Sequence, residues 1–428
     1  MQRKATGLRV SWTLSALIAL TATSPAFGAG FQLKEQSAEG QGNAFAGSTA
    51  KAYDLSTIFF NPAGMTRLSG HQAGVVVSYI SPRAEFTASG SPTIGGGAPL
   101  SGSRTDQAGE DAVVPAFYAF WDYNPDLKFG LAVNTPWGLM TEYSDQWVGR
   151  YHAIKSDLKT VNVAPSVAYQ INEQLSVGAG IQIQYADAEL TNAVPVTLIV
   201  GVPSADGKAT LKGDDWGFGA NVGLLYEFSP QTRVGLNYRS RVSHEIKGDI
   251  DFSGVPVSDA RFADTGAKAD LITPDIVSVG MYHEISPQWA VMADVSWTNW
   301  STFDELRVKR ANGADDIVTQ ENWDDSWFFA VGATYRPSES WALRTGIAYD
   351  KSPVPDEFRT PRIPDEDRYW ISFGASYSFA QRFVFDIGYT HIFVDDASLN
   401  LTSPTAGNVS GSYENSVDII AASLIVRF

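Results

Sequence analysis

The side chains best suited to holding an anion lie close together in the middle of this chain. Arg233, Arg239 and Arg241 share one parity of a segment whose other parity carries Val234, Leu236, Tyr238 and Val242. Successive side chains of an extended strand point to opposite faces, so the three guanidinium groups are expected to turn inward, away from the aliphatic face. Arg344 and Asp350 take the same inward parity further along. A sheltered guanidinium either grips a carboxylate from outside through paired N–H donors or is neutralised by the protein's own carboxylates. Glu227, Asp294 and Asp386 are on hand for the second role, and the residues alone leave both open.

Other chemistries are poorly provided for. His71, His152, His244, His283 and His391 are scattered without metal-ligand spacing, and the absence of cysteine removes thiolate sites and disulfides alike. No nucleophile and base form a recognisable set, and no glycine loop of the nucleotide-binding kind is present. A formal net charge of −16 argues against nucleic acid as a partner. The expectation is a protein that is not an enzyme and uses no cofactor and no metal.

The elements that must position these residues are strands. Leu175, Val177, Ala179, Ile181, Ile183 and Tyr185 alternate with Ser176, Gly178, Gly180, Gln182 and Gln184; Trp216, Phe218, Ala220, Val222, Leu224, Tyr226 and Phe228 repeat the pattern. One face is oily and the other small or polar, as in a wall between lipid and a crowded lumen. At the end of the chain Ile420, Ala422, Leu424, Val426 and Phe428 form one unbroken apolar face. Bacterial outer-membrane barrels commonly finish on such a strand and an aromatic residue.

Fourteen strands are expected, near 71–88, 112–122, 127–135, 156–170, 174–191, 214–228, 232–247, 275–285, 288–309, 325–336, 341–350, 369–379, 382–394 and 413–428. Tight Asn-, Pro- and Ser-rich turns follow the even strands, and segments of roughly eighteen to twenty-seven residues follow the odd ones. Short turns alternating with long loops are the asymmetry of an outer-membrane barrel, with the short turns and both termini in the periplasm. After the first 28 residues there is no run of eighteen apolar residues, which excludes spanning helices but not strands. Aromatics at 12%, with 12 Trp and 17 Tyr, suit interfacial girdles.

The segment 1–28 has the form of a secretory signal: Arg3, Lys4 and Arg9 precede an apolar run, then small residues, with cleavage after Gly28. Its removal takes away three positive charges and no acidic ones, carrying the net charge from −16 to −19. Residues 29–70 precede the barrel of 71–428. Their Phe31, Leu33, Phe45, Tyr53, Leu55, Ile58, Phe59 and Phe60 are too apolar for a disordered tail, and Gly40, Gly42, Ala44, Ala46, Gly47 and Ala50 allow close packing in a narrow bore. A lumenal plug is expected.

These segments resemble the family of outer-membrane long-chain fatty acid transporters, which also includes proteins taking up aromatic hydrocarbons. The likeness runs through Ala29-Gly30-Phe31-Gln32-Leu33, the Asn61-Pro62-Ala63 signature, Gly138-Leu139 with Thr141-Glu142-Tyr143, and Trp216-Gly217-Phe218-Gly219. It continues in Arg344-Thr345-Gly346-Ile347-Ala348, Ser352-Pro353-Val354-Pro355, Ile363-Pro364-Asp365 and Asp367-Arg368.

The resemblance implies an all-β fold, a 14-stranded antiparallel transmembrane β-barrel plugged by an N-terminal hatch, monomeric and set among outer-membrane lipid and lipopolysaccharide. It implies passive transport of a long-chain fatty acid or other hydrophobic small molecule, the alternative cargo being aromatic or other uncharged hydrocarbons. Capture would occur at residues 137–155 and 193–213, followed by lumenal binding, movement of the hatch around Asn61, Pro62 and Ala63, and sideways exit through the wall. Pro136, Trp137 and Gly138 interrupt the third strand where proline removes a donor and glycine weakens pairing, and are expected to form that exit. Arg307 lies in Trp300-Ser301-Thr302-Phe303-Asp304-Glu305-Leu306-Arg307, similar to the family segment that carries a headgroup-binding lysine. Arg307, Arg239 and Arg241 are therefore the headgroup candidates. A second basic position of the family falls near Asp187-Ala188-Glu189, where this chain is acidic.

Overall fold

Alternation of face carries the sheet round until its last strand meets its first. In the computed structural model, which describes residues 29–95, 97–256 and 259–428, the wall is a closed antiparallel barrel of fourteen strands. The export signal expected over 1–28 lies outside the described residues. The strands are β1 (Gln72–Ile94), β2 (Ala112–Asp122), β3 (Leu127–Asn134, resumed as Gly138–Glu142), β4 (Lys155–Gln170), β5 (Leu175–Val194) and β6 (Gly207–Ser229). Then come β7 (Thr232–Arg239 and Val242–Ser253), β8 (Thr265–Thr273 and Ile276–Glu284), β9 (Trp289–Thr298 and Glu305–Arg310) and β10 (Ile317–Gln320 and Ser326–Tyr335). The wall finishes with β11 (Trp341–Asp350), β12 (Arg368–Phe379), β13 (Phe383–Val394 and Ala397–Ser403) and β14 (Gly407–Arg427).

Closure is made by β14 against β1, in register from Gln72↔Arg427 to Ser89↔Ser410. On β14, Ile419, Ala421, Ser423 and Ile425 are buried while Ile420 and Leu424 are 49% and 39% exposed. The outward row continues on other strands through Phe218, Val222, Val279, Val331, Ile347 and Phe373. An apolar band of this extent requires a lipid solvent. Near the short turns, ring pairs Trp289–Tyr335 and Trp341–Tyr377 stand where a girdle belongs.

Several of the long links expected after the odd strands contain further strand. β5 and β6 stay paired from Leu175↔Tyr226 out to Val194↔Gly207, and much of 395–412 folds as the hairpin pairing Ala397–Ser403 with β14. Beyond the membrane the outer face of a strand no longer meets lipid, so the contrast between faces weakens while the hydrogen-bond ladder continues. The strand expected over 232–247 is also divided, at residues 240 and 241, and that expected over 288–309 breaks at the short turn Trp300–Thr302.

Inside the barrel lies the N-terminal segment, in short helical turns Ala38–Gln41, Thr57–Phe60 and Pro62–Arg67. Between residues 29 and 52 every residue except Gln32 is buried, including Lys34, Glu35, Glu39 and Lys51. Buried polar groups need partners, and many of them come from the wall. The Thr49 N–H donates to Asp294 Oδ2 at 2.9 Å, Asn43 Nδ2 donates to the Ala333 carbonyl at 2.9 Å, and Arg233 Nε donates to the Ala50 carbonyl at 2.8 Å. Glu39 takes both Lys51 at 2.5 Å and Arg344 at 2.7 Å, tying plug to β11. Two wall glycines make the fit possible: a Cβ at Gly346 would run into the Asn43 carbonyl, and one at Gly178 into the backbone of Pro62 and Ala63.

Candidate functional site

Pro136 has no N–H to offer β4, and the wall fails there. β3 pairs as far as Asn134↔Asn162 and resumes at Gly138↔Lys159, one extra residue lying on β3. Peptide groups freed in a membrane wall are costly unless protein covers them. Here the plug covers most of them. Gln36 Nε2 donates to the Thr135 carbonyl at 2.7 Å, the Leu33 N–H to the Pro136 carbonyl at 2.8 Å, and the Gly138 N–H to the Phe31 carbonyl at 2.9 Å. The Thr160 hydroxyl closes the remainder, accepting from the Trp137 N–H at 3.1 Å and donating to the Trp137 carbonyl at 2.7 Å. Gln32 and Trp137 stand opposite one another as an antiparallel bridge.

Phe31 continues from this gap into a cage of rings: Trp300 at 4.6 Å, Phe303 and Trp323 at 5.8 Å, and Trp137 at 6.0 Å between centroids. On its other side Phe31 lines a cavity of about 100 Å³, whose apolar lining includes Leu139, Leu158, Leu211, Ile246 and Leu271. Leu139 and Leu158 are also neighbours of the gap, paired across β3 and β4. Cavity, Phe31 and gap are thus contiguous.

Five charged residues line the cavity: Asp157, Lys212, Lys268, Glu321 and Arg362. Asp157 is paired with Lys159 at 2.8 Å and Lys155 at 3.4 Å, Lys212 with Glu189 at 3.4 Å, and Lys268 with Glu245 at 2.8 Å. Glu321, buried in the link before the second part of β10, accepts only from the Trp323 indole N–H, at 3.2 Å, among side chains. Burial pushes its carboxyl up to about 8. Arg362 is held by neutral oxygens, and burial lowers its guanidinium to about 10, still a cation at neutral pH.

The residues picked out from sequence fall in different places. Asn61 caps the turn that Pro62 begins: its Oδ1 accepts from the Ala63 N–H at 3.1 Å, and its Nδ2 donates to the carbonyls of Thr49 at 2.7 Å and Leu224 at 2.9 Å. This motif anchors the plug against β5 and β6 rather than lining the cavity. Pro136, Trp137 and Gly138 are at the gap. Arg239 is buried beside a second cavity of about 50 Å³, which Lys34 and Asp294 also line, and donates to Gln182 Oε1 at 2.8 Å and the Phe59 carbonyl at 2.6 Å.

Arg241 does not point inward. The break at residues 240 and 241 reverses the parity, so Val242, His244 and Ile246 are buried while the Arg241 side chain is 48% exposed and pairs with Asp275 at 2.7 Å. Arg307 pairs with Glu305 at 2.6 Å and Asp316 at 3.1 Å, and of its segment it is Phe303 and Leu306 that line the cavity. Among the inward arginines Arg344 meets a plug carboxylate, Glu39, rather than Glu227, Asp294 or Asp386. Arg362 and Glu321 escaped sequence reasoning, since neither lies in an alternating strand. The available signal was Arg362's place beside Ile363-Pro364-Asp365.

A family model described as "Outer membrane protein transport protein (OMPP1/FadL/TodX)" matches residues 19–428. The chain is 32% identical over 410 residues to a long-chain fatty acid transport protein of Escherichia coli O6:H1, covering 89% of this chain and 90% of that one. It is 33% identical to a 47 kDa outer membrane protein of Pasteurella multocida, with 89% and 90% covered. Among solved structures, a Pseudomonas aeruginosa FadL homologue superposes with a TM-score of 0.86 at 24% identity, covering 94% of this chain and 100% of that one. The toluene transporter TodX of Pseudomonas putida has a TM-score of 0.72 at 17% identity, with 94% and 99% covered.

Proposed function

This chain belongs to the outer membrane protein transport family, and from that premise we propose that it is a passive channel for long-chain fatty acids that releases its cargo sideways through the gap in β3. The observation that carries the reading is the shared position of Phe31, which lines the cavity while its own peptide group fills the hole in the wall. Withdrawal of residues 31–33 breaks two backbone bonds, costing about 2 kcal/mol, and forfeits ring contacts of roughly 0.5–1.5 kcal/mol each. An acyl chain occupying the cavity replaces much of that packing. Cargo that offsets part of this cost shifts the population toward the open gap.

In this reading the extracellular segments 137–155 and 193–213 collect cargo, the cavity holds it, and the plug anchored at Asn61, Pro62 and Ala63 gives way at its N-terminal end. A single chain suffices, because the barrel closes on itself. An N-terminal signal over 1–28 exports it, and its outer face meets lipid and lipopolysaccharide. Uptake of uncharged aromatic hydrocarbons is the second reading, favoured by the apolar lining and by the rings around Phe31. Uptake of radiolabelled oleate and toluene, in cells with and without the protein, separates them. Protein-dependent entry of oleate supports the first reading; entry of toluene alone supports the second, and entry of neither overturns both.

A further inference from the structure

We propose that Arg362 reads the carboxylate headgroup of cargo held in the apolar cavity, making an anionic amphiphile, rather than a neutral hydrocarbon, the molecule for which this site is built. The inference rests on the transport reading and adds the residue that sets the class of cargo.

Arg362 lies between β11 and β12. Its Nη1 donates to the Lys155 carbonyl at 3.1 Å and the Ser156 hydroxyl at 3.0 Å, and its Nη2 donates to the His152 carbonyl at 3.1 Å. A guanidinium has five N–H donors, so the Nε–H and one N–H of Nη2 remain without a protein acceptor among the described residues. They sit on adjacent nitrogens, the pair a carboxylate bridges. The three bonds already made fix the plane of the group in advance, which lowers the cost of binding.

Charge points the same way. Asp157, Lys212 and Lys268 are each matched by a charged side chain, and Arg307 is held by two carboxylates. Arg362 is the cavity's cation without a carboxylate partner among the described residues. Glu321 shares the cavity but accepts from the Trp323 indole N–H and forms no ion pair with Arg362, and burial pushes its carboxyl toward the neutral form. A sheltered cation facing an oily chamber is costly, and an arriving carboxylate removes that cost while Leu139, Leu158, Leu211 and Ile246 take the acyl chain.

The test compares initial rates of entry of radiolabelled oleate and oleyl alcohol into proteoliposomes, with protein-free liposomes as background. The two probes differ in the headgroup alone. The native protein is expected to prefer oleate, and Arg362→Gln, which keeps hydrogen-bonding capacity without charge, to reduce that preference by ten- to a hundred-fold. Arg362→Lys retains part of it, because the charge persists and the planar fork does not. Ser156→Asp leaves Arg362 in place but gives it a resident carboxylate, and lowers the preference as well; it decides the matter if the Gln variant fails to fold. A preference unchanged in Ser156→Asp and in a folded Arg362→Gln overturns the inference while transport stands. Entry of neither probe through the native protein overturns the transport reading and this inference with it.

Discussion

The main-chain N–H of Leu33 donates to the carbonyl of Pro136 across 2.8 Å, so the plug inside the barrel completes the wall where β3 falls out of register with β4. Plug and wall are one hydrogen-bonded structure at this point.

Thr160 is the wall's own contribution to the same patch. Its hydroxyl serves both the N–H and the carbonyl of Trp137. Thr160→Val keeps the shape and strands both groups, each worth about 1–3 kcal/mol. Amide deuterium exchange at Trp137 and Gly138 is expected to quicken by tenfold or more, and equal rates would show that the gap is held by the plug alone.

Glu39 neutralises two buried cations, Lys51 and Arg344. Glu39→Gln leaves both uncompensated, at a cost of about 3–5 kcal/mol that falls on the docked plug. Frequent opening events in planar-bilayer conductance are expected from the variant, against a quiet native channel. A trace as quiet as the native one would mean that the plug is held elsewhere.

Gly346 lies against the Asn43 carbonyl with no room for a Cβ. Gly346→Val must push the plug off β11, exposing Lys51, which is 2% exposed in the native fold. Trypsin is expected to cut after Lys51 in the variant within minutes and to spare the native protein. Equal resistance would place the plug's hold outside this contact.

Glu321 gives the cavity a dependence on pH. Its carboxyl is raised to about 8 by burial, above the usual carboxylate range, so the neutral form prevails below that pH and the charged form above it. Facing it are Arg362 and the Trp323 N–H, with Asp157, Lys212 and Lys268 as the other charged groups of the lining. As pH rises through about 8, the new carboxylate competes for Arg362 and repels cargo, so oleate affinity falls. The ratio of native to Glu321→Gln affinity is expected to drop between pH 7 and pH 9. A flat ratio would remove Glu321 from the site.

Legibility followed the lipid. Where one face of a strand meets the membrane, as at Ile420 and Leu424 or at Val222 and Phe218, alternation is enforced and the strand is readable. Pro136 was readable too, because a missing donor shows in the residue type itself. Beyond the membrane the alternating runs are short, so residues 397–403 looked like loop although Ala397, Leu399 and Leu401 alternate with Ser398, Asn400 and Thr402 and the segment pairs with β14. Arg241 was misplaced because a break two residues long reverses parity without marking the composition. Arg362 and Glu321 lie in links, where the side chain's direction is set by contacts such as those with Lys155 and Trp323 that are distant in sequence or lack any period.

Release through the wall is tested most directly by fastening the plug to it. Gln32 and Trp137 face one another across the bridge, a non-hydrogen-bonded antiparallel position where Cα atoms stand about 4.5 Å apart, within reach of a disulfide. The chain has no cysteine of its own, so Gln32→Cys with Trp137→Cys yields a single cross-link. Oleate uptake should fall to background when the pair is oxidised and return on reduction, while either single variant stays insensitive to oxidant. Undiminished uptake through a fully cross-linked channel would contradict lateral release at β3.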